Sequence, residues 1–545
     1  ATDDRPPVLV RPLENRASDS GDASFARGMH DALQSQLDKV SGLDVLSRNT
    51  GVDVEEAGMS VAEIARKHDV RAILDGSVLR VEDQLRITAF LTDARRNEQL
   101  WSENYRREYS VDALFEIQAD IAADIADALE TELTAGERSR IADAPTTNLD
   151  ALEAYLQGKM RAMDAYNRGD TTPVGPAVSH LRDAVRRDPT FAEARAWLGV
   201  AYSARSYLGG EERWRDSALE EVDRALALDS ELPDAHSVRG LLNQNREPGR
   251  AEEAYRRALE LDPNHWLAAD GMADLAAFRG DWAQALRWAH EVVRSHPRRE
   301  WGLAYFGTLL RVTGLDDAAA VWLRDALEMN PENVRAVGQL ARLHLSRGQT
   351  GAASEVVEAY RTRRPEHPAG LELAAEAALR RGEPDRAVEL LNRIPEEERP
   401  LEGLMVASRR ALLGLAELRA GRRDRGRALL NEAADTLRLE LDADRALARG
   451  EAHLRLSRVL AALERPDDAL RHLSQAADAG VIHHRGLRVS PFFDDLRSDP
   501  HFRKILRRME ARRTEVRARV RDMGLDLYPP GVDADTVDRP SPVDG

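Results

Sequence analysis

Few residues of this chain have types and spacings suited to chemistry, and two adjacent histidines are the most suggestive. His483 and His484 lie in the segment VIHHRG, residues 481–486. Neighbouring side chains on a helix or strand point in different directions, so adjacent histidines seldom bind one metal ion. A solvated turn is the simpler interpretation, and we predict no metal site.

Sequence motifs for catalysis or cofactor binding are absent. The chain has no G-x-G-x-x-G or G-x-x-x-x-G-K-[ST] loop that could hold nucleotide phosphates. It has neither an H-E-x-x-H zinc motif nor a G-x-S-x-G nucleophile elbow. It has no cysteine, which excludes disulfides, thiolate metal sites and cysteine nucleophiles. We therefore predict that the protein is not an enzyme and binds no cofactor.

Composition narrows the class of partner. With 545 residues, 42% hydrophobic and 32% charged, the chain is long enough for several globular domains or a solenoid. Its formal net charge of −17 argues against binding to nucleic acid, because phosphates would be repelled. No run of about 18 apolar residues exists, so we predict no membrane span. The abrupt start, ATDDRPPVLVRP, fits a processed mature chain or a fragment of a larger protein.

The elements that must position any binding residues fall into two parts, the first from Pro7 to about Leu133. Alternating or continuous apolar runs predict strands at 8–13, 43–48, 72–81, 85–92 and 99–108. The last three form a predicted antiparallel meander. Ser60 and Glu63 form a capping box that opens a short helix, and apolar residues between 114 and 133 have helical spacing. This order predicts an α+β domain with helices packed on a sheet.

Internal repetition dominates from about Leu149. Three residue types recur every 34 residues: Pro263, Pro297, Pro331 and Pro365; Gly280, Gly314, Gly348 and Gly382; Ala285, Ala319, Ala353 and Ala387. Proline ends a helix, glycine permits a tight turn, and alanine lets two helices approach closely. Each repeat is therefore predicted to be a helix–turn–helix unit.

A 34-residue helix–turn–helix repeat resembles the tetratricopeptide repeat family. Matching small and aromatic positions occur in FAEARAWLGVAY (191–202) and AEEAYRRALELDPNHW (251–266). We predict about nine repeats between residues 149 and 480, with SYLGGEER (206–213) as a protruding loop between helices. The predicted fold class is an α+β N-terminal domain followed by an all-α superhelical solenoid with a C-terminal capping helix.

The C-terminal segment is predicted to cover the end of the solenoid, whose last repeat would otherwise expose an apolar face. The segment VSPFFDDLRSDPHFRKILRRM (489–509) carries apolar residues that suit a short turn and a helix. We assign residues 481–523 to this cap. Residues 524–545 are proline-rich and acidic, and we predict that they are disordered.

The first helix of each repeat is predicted to line a concave groove. From the proline register, the groove residues are Asp234, Gln244, Asn245, Asp270, Asp274, Trp301, Thr308, Arg311, Arg335, Arg342, Glu372 and Glu376. Acidic residues thus flank a basic zone, which suits a protein or peptide partner. An ordinary solvated face is the alternative. Tryptophans in this region are predicted to pack between helices, with a ligand pocket as the alternative.

One tetratricopeptide subfamily grips a chaperone's terminal carboxylate with lysines and asparagines of this face. Here the groove has no lysine. The positions of the asparagine clamp carry Val200, Leu241, Asp274, Thr308, Arg342 and Glu376. Recognition of a chaperone tail is therefore not expected.

Residues 73–108 and 114–129 resemble the amino-terminal domain of TolB and related envelope proteins. The matching features are Asp75-Gly76-Ser77, Leu85-Arg86-Ile87-Thr88, Asp93-Ala94 and Leu100-Trp101. The resemblance assigns residues 1–135 to this domain and residues 149–480 to the solenoid. In bacteria such a domain often precedes tetratricopeptide repeats beyond a membrane segment, so the resemblance implies a periplasmic or otherwise extracytoplasmic location. It supplies no catalytic residue.

Two functions follow as hypotheses. In the first, the chain is a non-catalytic interaction protein of the bacterial envelope. It would dock through the α+β domain, for example to a membrane-protein complex or to a second copy of itself, and hold a protein or peptide in the groove. In the second, the chain is the extracytoplasmic sensory region of a membrane signalling receptor that binds a small ligand.

Overall fold

The fold is taken from a computed structural model. The residues that it describes are 5–15, 29–30, 33–34, 36–37, 40, 42–46, 59–68, 70–81, 84–131, 133–142, 144–168, 174–209, 212–263, 265–295, 299–394, 409–442, 449–482 and 484–529. They form two compact units, each described by itself. The N-terminal unit contains Ala1–Tyr166, Asp170–Val238 and Arg294–Arg299, and the C-terminal unit contains Arg239–Val293 and Glu300–Gly545 with Asn167–Gly169.

The N-terminal unit begins with a mixed sheet. Its strands are β1 (Pro7–Val10), β2 (Glu14–Asn15), β3 (Asp44–Val45), β4 (Ala72–Val81), β5 (Gln84–Asp93) and β6 (Glu98–Glu108). The order is β3-β1-β4-β5-β6, with β2 pairing along β4. Strand β1 pairs in parallel with β3 and with β4, and β2 pairs in parallel with β4. The pairs β4–β5 and β5–β6 are antiparallel. The predicted three-stranded meander is therefore confirmed.

Two helices follow the predicted pattern beside this sheet. The first, α1 (Val61–His68), begins at the capping box: Ser60 N donates to Glu63 Oε2 at 2.9 Å. The second, α2 (Val111–Ala128), buries the apolar face that contains Leu114, Ile117 and Ile121. One face of β5 is buried as its period of two predicted, because Leu85, Ile87, Ala89 and Leu91 are all buried. Between β1 and β3, Met29, Leu33 and Leu37 recur every four residues, a spacing that indicates a helix, and all three side chains are buried.

Helices make up the rest of the N-terminal unit. They are α3 (Ala135–Ala142), α4 (Leu149–Arg168), α5 (Val174–Arg187), α6 (Ala192–Gly209) and α7 (Glu212–Leu228), and the next helix, α8 (Pro233–Asn243), spans the boundary between the units. The prediction of a protruding loop at 206–213 is wrong for most of this segment. Residues 206–209 extend α6, and α7 resumes at Glu212, so most of this segment is helical.

The C-terminal unit is a series of antiparallel helix pairs. Its elements are α9 (Pro248–Leu261), α10 (Trp266–Phe278), α11 (Trp282–Ser295), α12 (Glu300–Thr313), α13 (Asp316–Met329), α14 (Val334–Ser346), α15 (Thr350–Arg363), α16 (Pro368–Arg380), α17 (Pro384–Asn392), α18 (Arg409–Arg419), α19 (Arg423–Asp442), α20 (Arg449–Ala462), α21 (Pro466–Asp478), α22 (His484–Arg488), a 3₁₀ helix (Pro491–Leu496) and α23 (Pro500–Asp522). Among the described helices, none is both long and apolar enough to cross a membrane.

The repeated residues perform their predicted tasks. Gly280, Gly314, Gly348 and Gly382 all have positive φ, between 74° and 91°, in the turns within pairs. Ala285, Ala319, Ala353 and Ala387 are fully buried where the paired helices meet. Pro331 and Pro365 stand two residues beyond the ends of α13 and α15. Pro297 and residues 530–545, with most of the predicted tail, lie outside the described residues.

The C-terminal segment packs beyond the last helix pair. Phe493, Phe502 and Met509 belong to the core that also contains α14–α21. Farther along α23, Val516 and Val520 join the core of α10–α13. The segment therefore contacts successive helix pairs, whereas the predicted cap covered only the final repeat.

Candidate functional site

The candidate surface is built by α10, α12, α14 and α16, called here the first helices because each opens a helix pair. The 34-residue period places Asp274, Thr308, Arg342 and Glu376 at equivalent points of these four helices. Trp301 and Arg335 occupy a second pair of equivalent points, on α12 and α14. Side chains on neighbouring first helices consequently meet.

The aromatic–arginine cluster, Trp301, Tyr305, Arg335 and Asp274, joins three first helices. The Arg335 guanidinium lies 4.1 Å from the centre of the Trp301 ring and 5.5 Å from that of Tyr305. Tyr305 donates its hydroxyl hydrogen to Asp274 Oδ1 at 2.5 Å. Trp301 and Arg335 are half-buried, so part of this stack faces solvent. Stacking on the electron-rich faces of the rings fixes the direction of the arginine.

Charge within this cluster is shaped by burial. Burial raises the pKa of Asp274, and the Tyr305 hydrogen bond and the Arg335 charge act against that rise. The pKa of Tyr305 is raised well above its usual value by burial and by the Asp274 carboxylate. Tyr305 therefore stays a hydrogen-bond donor to the Asp274 carboxyl.

The arginine-rich cluster, Arg311, Gln339, Arg342, Glu376 and Arg380, lies farther along the same helices. Arg311 Nε donates to Gln339 Oε1 at 2.8 Å, and Arg380 Nη2 donates to Glu376 Oε1 at 2.9 Å. Arg342 Nε stands 3.9 Å from Glu376 Oε2. Burial raises the pKa of Glu376, but Arg380 and Arg342 outweigh it and lower the pKa overall. The predicted basic and acidic zones of the groove therefore meet where Arg342 of α14 lies beside Glu376 of α16.

Several predicted residues are not presented to a partner. Thr308 is fully buried and donates its hydroxyl hydrogen to Ala304 O at 2.7 Å within its own helix. Asp270, Glu372 and Arg311 are also buried. Neighbouring helices cover most of these side chains. The 34-residue register alone does not reveal how far this covering extends.

The remaining predicted residues lie apart from the two clusters. Gln244 Oε1 accepts from the Tyr255 hydroxyl at 2.9 Å, and Asn245 is exposed in the turn after α8. Asp234 belongs to the N-terminal unit, where its Oδ2 accepts from Trp197 Nε1 at 3.0 Å. The predicted groove residues therefore belong to two compact units, with Asp234 in the N-terminal unit and Glu376 in the C-terminal unit.

The C-terminal segment meets the carboxyl ends of the first helices. Arg380 Nη1 donates to Val489 O at 3.0 Å, and Arg419 Nη2 donates to Pro491 O at 2.6 Å. Arg513 of α23 is buried, and its Nη2 donates to Arg311 O at 3.1 Å and to Asp316 Oδ1 at 3.2 Å. A Cβ on Gly314 would stand 2.3 Å from Arg513 Nε, so this turn accommodates only glycine there.

Sequence reasoning missed Gln339, Arg380, Asp316 and Arg513. A signal existed for Arg513, because position 513 falls on the apolar stripe of α23. That stripe contains Phe502, Ile505, Leu506, Met509, Val516 and Val520. Among the tryptophans of this region, Trp282 and Trp322 belong to a core and Trp288 packs against it, in agreement with the packing prediction. For example, Trp282 Nε1 donates to Gly480 O and Trp322 Nε1 to Leu527 O, both at 2.8 Å. Trp301 differs, because it carries the Arg335 stack.

Among the described residues, no group of three or more histidine, aspartate or glutamate side chains stands close enough together to hold a metal ion. His483 lies outside the described residues.

Comparison with known proteins identifies the repeats. Residues 317–373, from α13 into α16, match a family model described as "Tetratricopeptide repeat". With the helix pairs and their 34-residue period, this match supports a tetratricopeptide-repeat solenoid.

One curated relative is "Putative adenylate cyclase 3" of Rhizobium meliloti (strain 1021). It is 27% identical over 230 residues, which are 42% of this chain and 38% of that protein. The matched region therefore spans well under half of the relative's length.

Solved structures show similar helix pairs at low scores. A structure titled "Functional Characterization of Pseudomonas Aeruginosa pilF" has a TM-score of 0.31 and 19% identity, and covers 37% of this chain and 89% of that one. The human IFIT1 dimer with m7Gppp-AAAA has a TM-score of 0.38 and 13% identity, and covers 68% of this chain and 90% of that one. Similarity at this level carries no inference about function.

Proposed function

We propose that this chain, with its tetratricopeptide-repeat solenoid, is a non-catalytic interaction protein of the bacterial envelope. Tetratricopeptide repeats generally mediate contacts between proteins. The first helices of the C-terminal unit hold a protein or peptide partner, and the α+β domain docks the chain to a further partner.

The aromatic–arginine cluster is the observation that carries this proposal. Tryptophan, tyrosine and arginine are the residues that most often dominate binding energy at protein interfaces. Here the Arg335 guanidinium lies over the Trp301 ring, and part of each side chain faces solvent. A preorganised and partly exposed stack loses little conformational freedom when a partner binds.

The envelope location is supported by the α+β domain. Its sheet contains the motifs that carry the resemblance to TolB. The glycine of one motif, Asp75-Gly76-Ser77, is explained by the geometry of the sheet. A Cβ on Gly76 would lie 2.6 Å from Thr88 O of the neighbouring strand. A glycine is therefore required at this position of β4.

A second candidate function is the sensory region of a membrane signalling receptor that binds a small ligand. The relative named as an adenylate cyclase favours it, because 62% of that protein lies outside the matched region. An output domain of a receptor could reside in such a remainder.

Capture of a partner from native extract tests the leading proposal. Arg335→Glu should abolish the stack on Trp301 and reduce recovery of the specific partner at least tenfold, since arginine hot spots are worth about 2 kcal/mol or more. Arg386→Glu is the matched control, because Arg386 is an exposed arginine on α17. Equal recovery with wild type and Arg335→Glu, by quantitative mass spectrometry, would remove the first-helix surface as the binding site.

A further inference from the structure

Two aromatic rings stack in the N-terminal unit, close to the end where α6 passes to α7. The ring centres of Tyr202 on α6 and Trp214 on α7 are 5.5 Å apart, and the rings are inclined by 30°. Tyr202 is buried and Trp214 is half-buried. Helices α6 and α7 contain 18 and 17 residues, whereas each helix from α10 to α15 contains 13 or 14. The α6–α7 pair is therefore longer by about one helical turn.

Three exposed arginines, one each from α5, α6 and α7, surround these rings. The guanidiniums of Arg205 and Arg213 lie 4.2 and 5.0 Å from the centre of the Trp214 ring. Arg182 Nε donates to the Tyr202 hydroxyl oxygen at 2.6 Å, and its guanidinium lies 5.3 Å from that ring. We call Arg182, Tyr202, Arg205, Arg213 and Trp214 the turn-end cluster. Contact with the ring faces favours a limited set of directions for these arginines.

The positive charge of the turn-end cluster is balanced only in part by its surroundings. Farther along α7, the exposed Arg224 pairs with Glu220 at 2.5 Å. By contrast, no carboxylate of a described residue lies within ion-pair distance of Arg182 or Arg205, which contact the two rings instead. The cluster is thus a local excess of cations on a chain whose formal net charge is −17.

The chemistry of the cluster favours an acidic polypeptide over a membrane or a nucleic acid. Stable adsorption to a bilayer needs apolar side chains that enter it. The large hydrophobic residues that are most exposed in the described part of the chain lie elsewhere: Val81, Leu100, Leu228 and Leu439. A long phosphate backbone would also extend over the acidic remainder of the chain and be repelled. A short acidic segment meets only the local cations, and tryptophan, tyrosine and arginine often dominate binding between proteins.

We propose that the turn-end cluster is a docking surface for a segment of a partner protein that is rich in glutamate or aspartate. The planar N–H edges of Arg182 and Arg205 pair with its carboxylates, and the stacked rings support both arginines. None of the five residues lies at a position of the chaperone-tail clamp, which falls at Val200 on α6. The inference goes beyond the proposed function, because the surface is formed by α5, α6 and α7 of the N-terminal unit.

Isothermal titration calorimetry of the full chain tests the surface, with hexaglutamate as the probe. Wild type should bind hexaglutamate, and the affinity should fall as the ionic strength rises. Arg182→Gln and Arg205→Gln should each weaken binding roughly threefold to fivefold, and the double variant roughly tenfold or more, as expected for exposed charge pairs that add. Arg224→Gln is the matched control, because that exposed arginine of α7 already has a carboxylate partner. It should bind as wild type does.

Two further probes, vesicles of phosphatidylglycerol and an oligothymidylate, represent the membrane and the nucleic acid. The proposal is overturned if wild type does not bind hexaglutamate, or if the double variant binds it as tightly as wild type. It is also overturned if the double variant loses more affinity for the vesicles or the oligothymidylate than for hexaglutamate. Arg335→Glu leaves the turn-end cluster intact and should bind hexaglutamate as wild type does, so this proposal and the proposed function can each fail alone.

Discussion

Asp93 shows what one side chain contributes to the sheet domain. It ends β5, is fully buried, and its Oδ1 accepts from the backbone N–H groups of Arg95 and Arg96, each at 2.9 Å. Its Oδ2 lies 3.3 Å from Arg71 Nη1. Burial raises the pKa of Asp93, but these hydrogen bonds and the Arg71 charge outweigh it and lower the pKa overall. The carboxylate therefore holds the turn between β5 and β6.

Asp93→Asn should destabilise this hairpin by about 1–3 kcal/mol at pH 7, because a buried acceptor of two N–H groups loses its charge. A carboxyl with a lowered folded pKa contributes stability above its unfolded pKa of about 3.9. That stability disappears as the pH falls through the folded pKa, so the difference between wild type and variant should shrink in acid.

Hydrogen exchange of residues 84–108 at pH 7 measures this effect, and urea unfolding at pH 7 and pH 3 gives the pH dependence. Glu98→Gln, an exposed change at the start of β6, is the control. Unchanged protection in Asp93→Asn would show that the backbone, and not the carboxylate, sets the turn.

The helix pair α20–α21 depends on two neutral histidines. His453 Nδ1 and His472 Nδ1 stand 2.9 Å apart, so one ring must donate and the other must accept. Burial lowers the pKa of both histidines. At His453 the charge of Arg449 lowers the pKa further. At His472 the pKa is lowered further by His453, Arg471 and Arg438, whereas Asp468 raises it. The resulting pKa of His472 is about 4.

This helix pair should lose stability as the pH falls from about 6.5 to about 4. The unfolded histidine has a pKa near 6.5 and binds the proton more tightly than the folded one, so acid favours unfolding over that range. His472→Gln should flatten this dependence. Hydrogen exchange of α21 at pH 7.5 and pH 5 measures it, and His501→Gln, at an exposed histidine, is the control. A wild-type profile that is as flat as that of His472→Gln would contradict this explanation.

At the scale of the whole molecule, helix pairs of the C-terminal unit that are far apart in sequence come into contact. Gly280, in the turn of the α10–α11 pair, packs against Gly480, which follows the α20–α21 pair. Trp282, Arg512 and Arg519 add contacts near this junction, the last with Asp281 at 3.2 Å. Distant repeats are thereby held together, and the ends of the first helices are covered by α22 and α23.

Gly280→Ala should destabilise the unit more than Gly348→Ala. Both glycines have φ near +75°, so both variants bear a left-handed strain of about 1–2 kcal/mol. Only at position 280 would the new Cβ meet a neighbour, 2.9 Å from Gly480 Cα, whereas position 348 is open. The expected extra cost is about 1–3 kcal/mol, typical of overpacking. Equal midpoints of urea unfolding in the two variants would argue against this junction.

Local signals identified the elements well, because helix and strand periods and turn glycines are written in neighbouring residues. The capping box at Ser60, the three-stranded meander and the positive-φ glycines all followed from spacings of a few residues. Register also placed Trp301 and Arg335 on neighbouring helices. It could not show that Thr308 is fully buried, because burial depends on the side chains of helices that lie far away in sequence.

The sequence by itself determined a repeated helix–turn–helix architecture, since the 34-residue period reflects turns and close contacts that each repeat makes locally. Only the tertiary structure decided which charges meet. Arg513 lies 202 residues after Arg311, yet its guanidinium donates to the Arg311 carbonyl oxygen. The physical reason is that the path of a solenoid sums many small rotations between repeats, and no single stretch of sequence records their total.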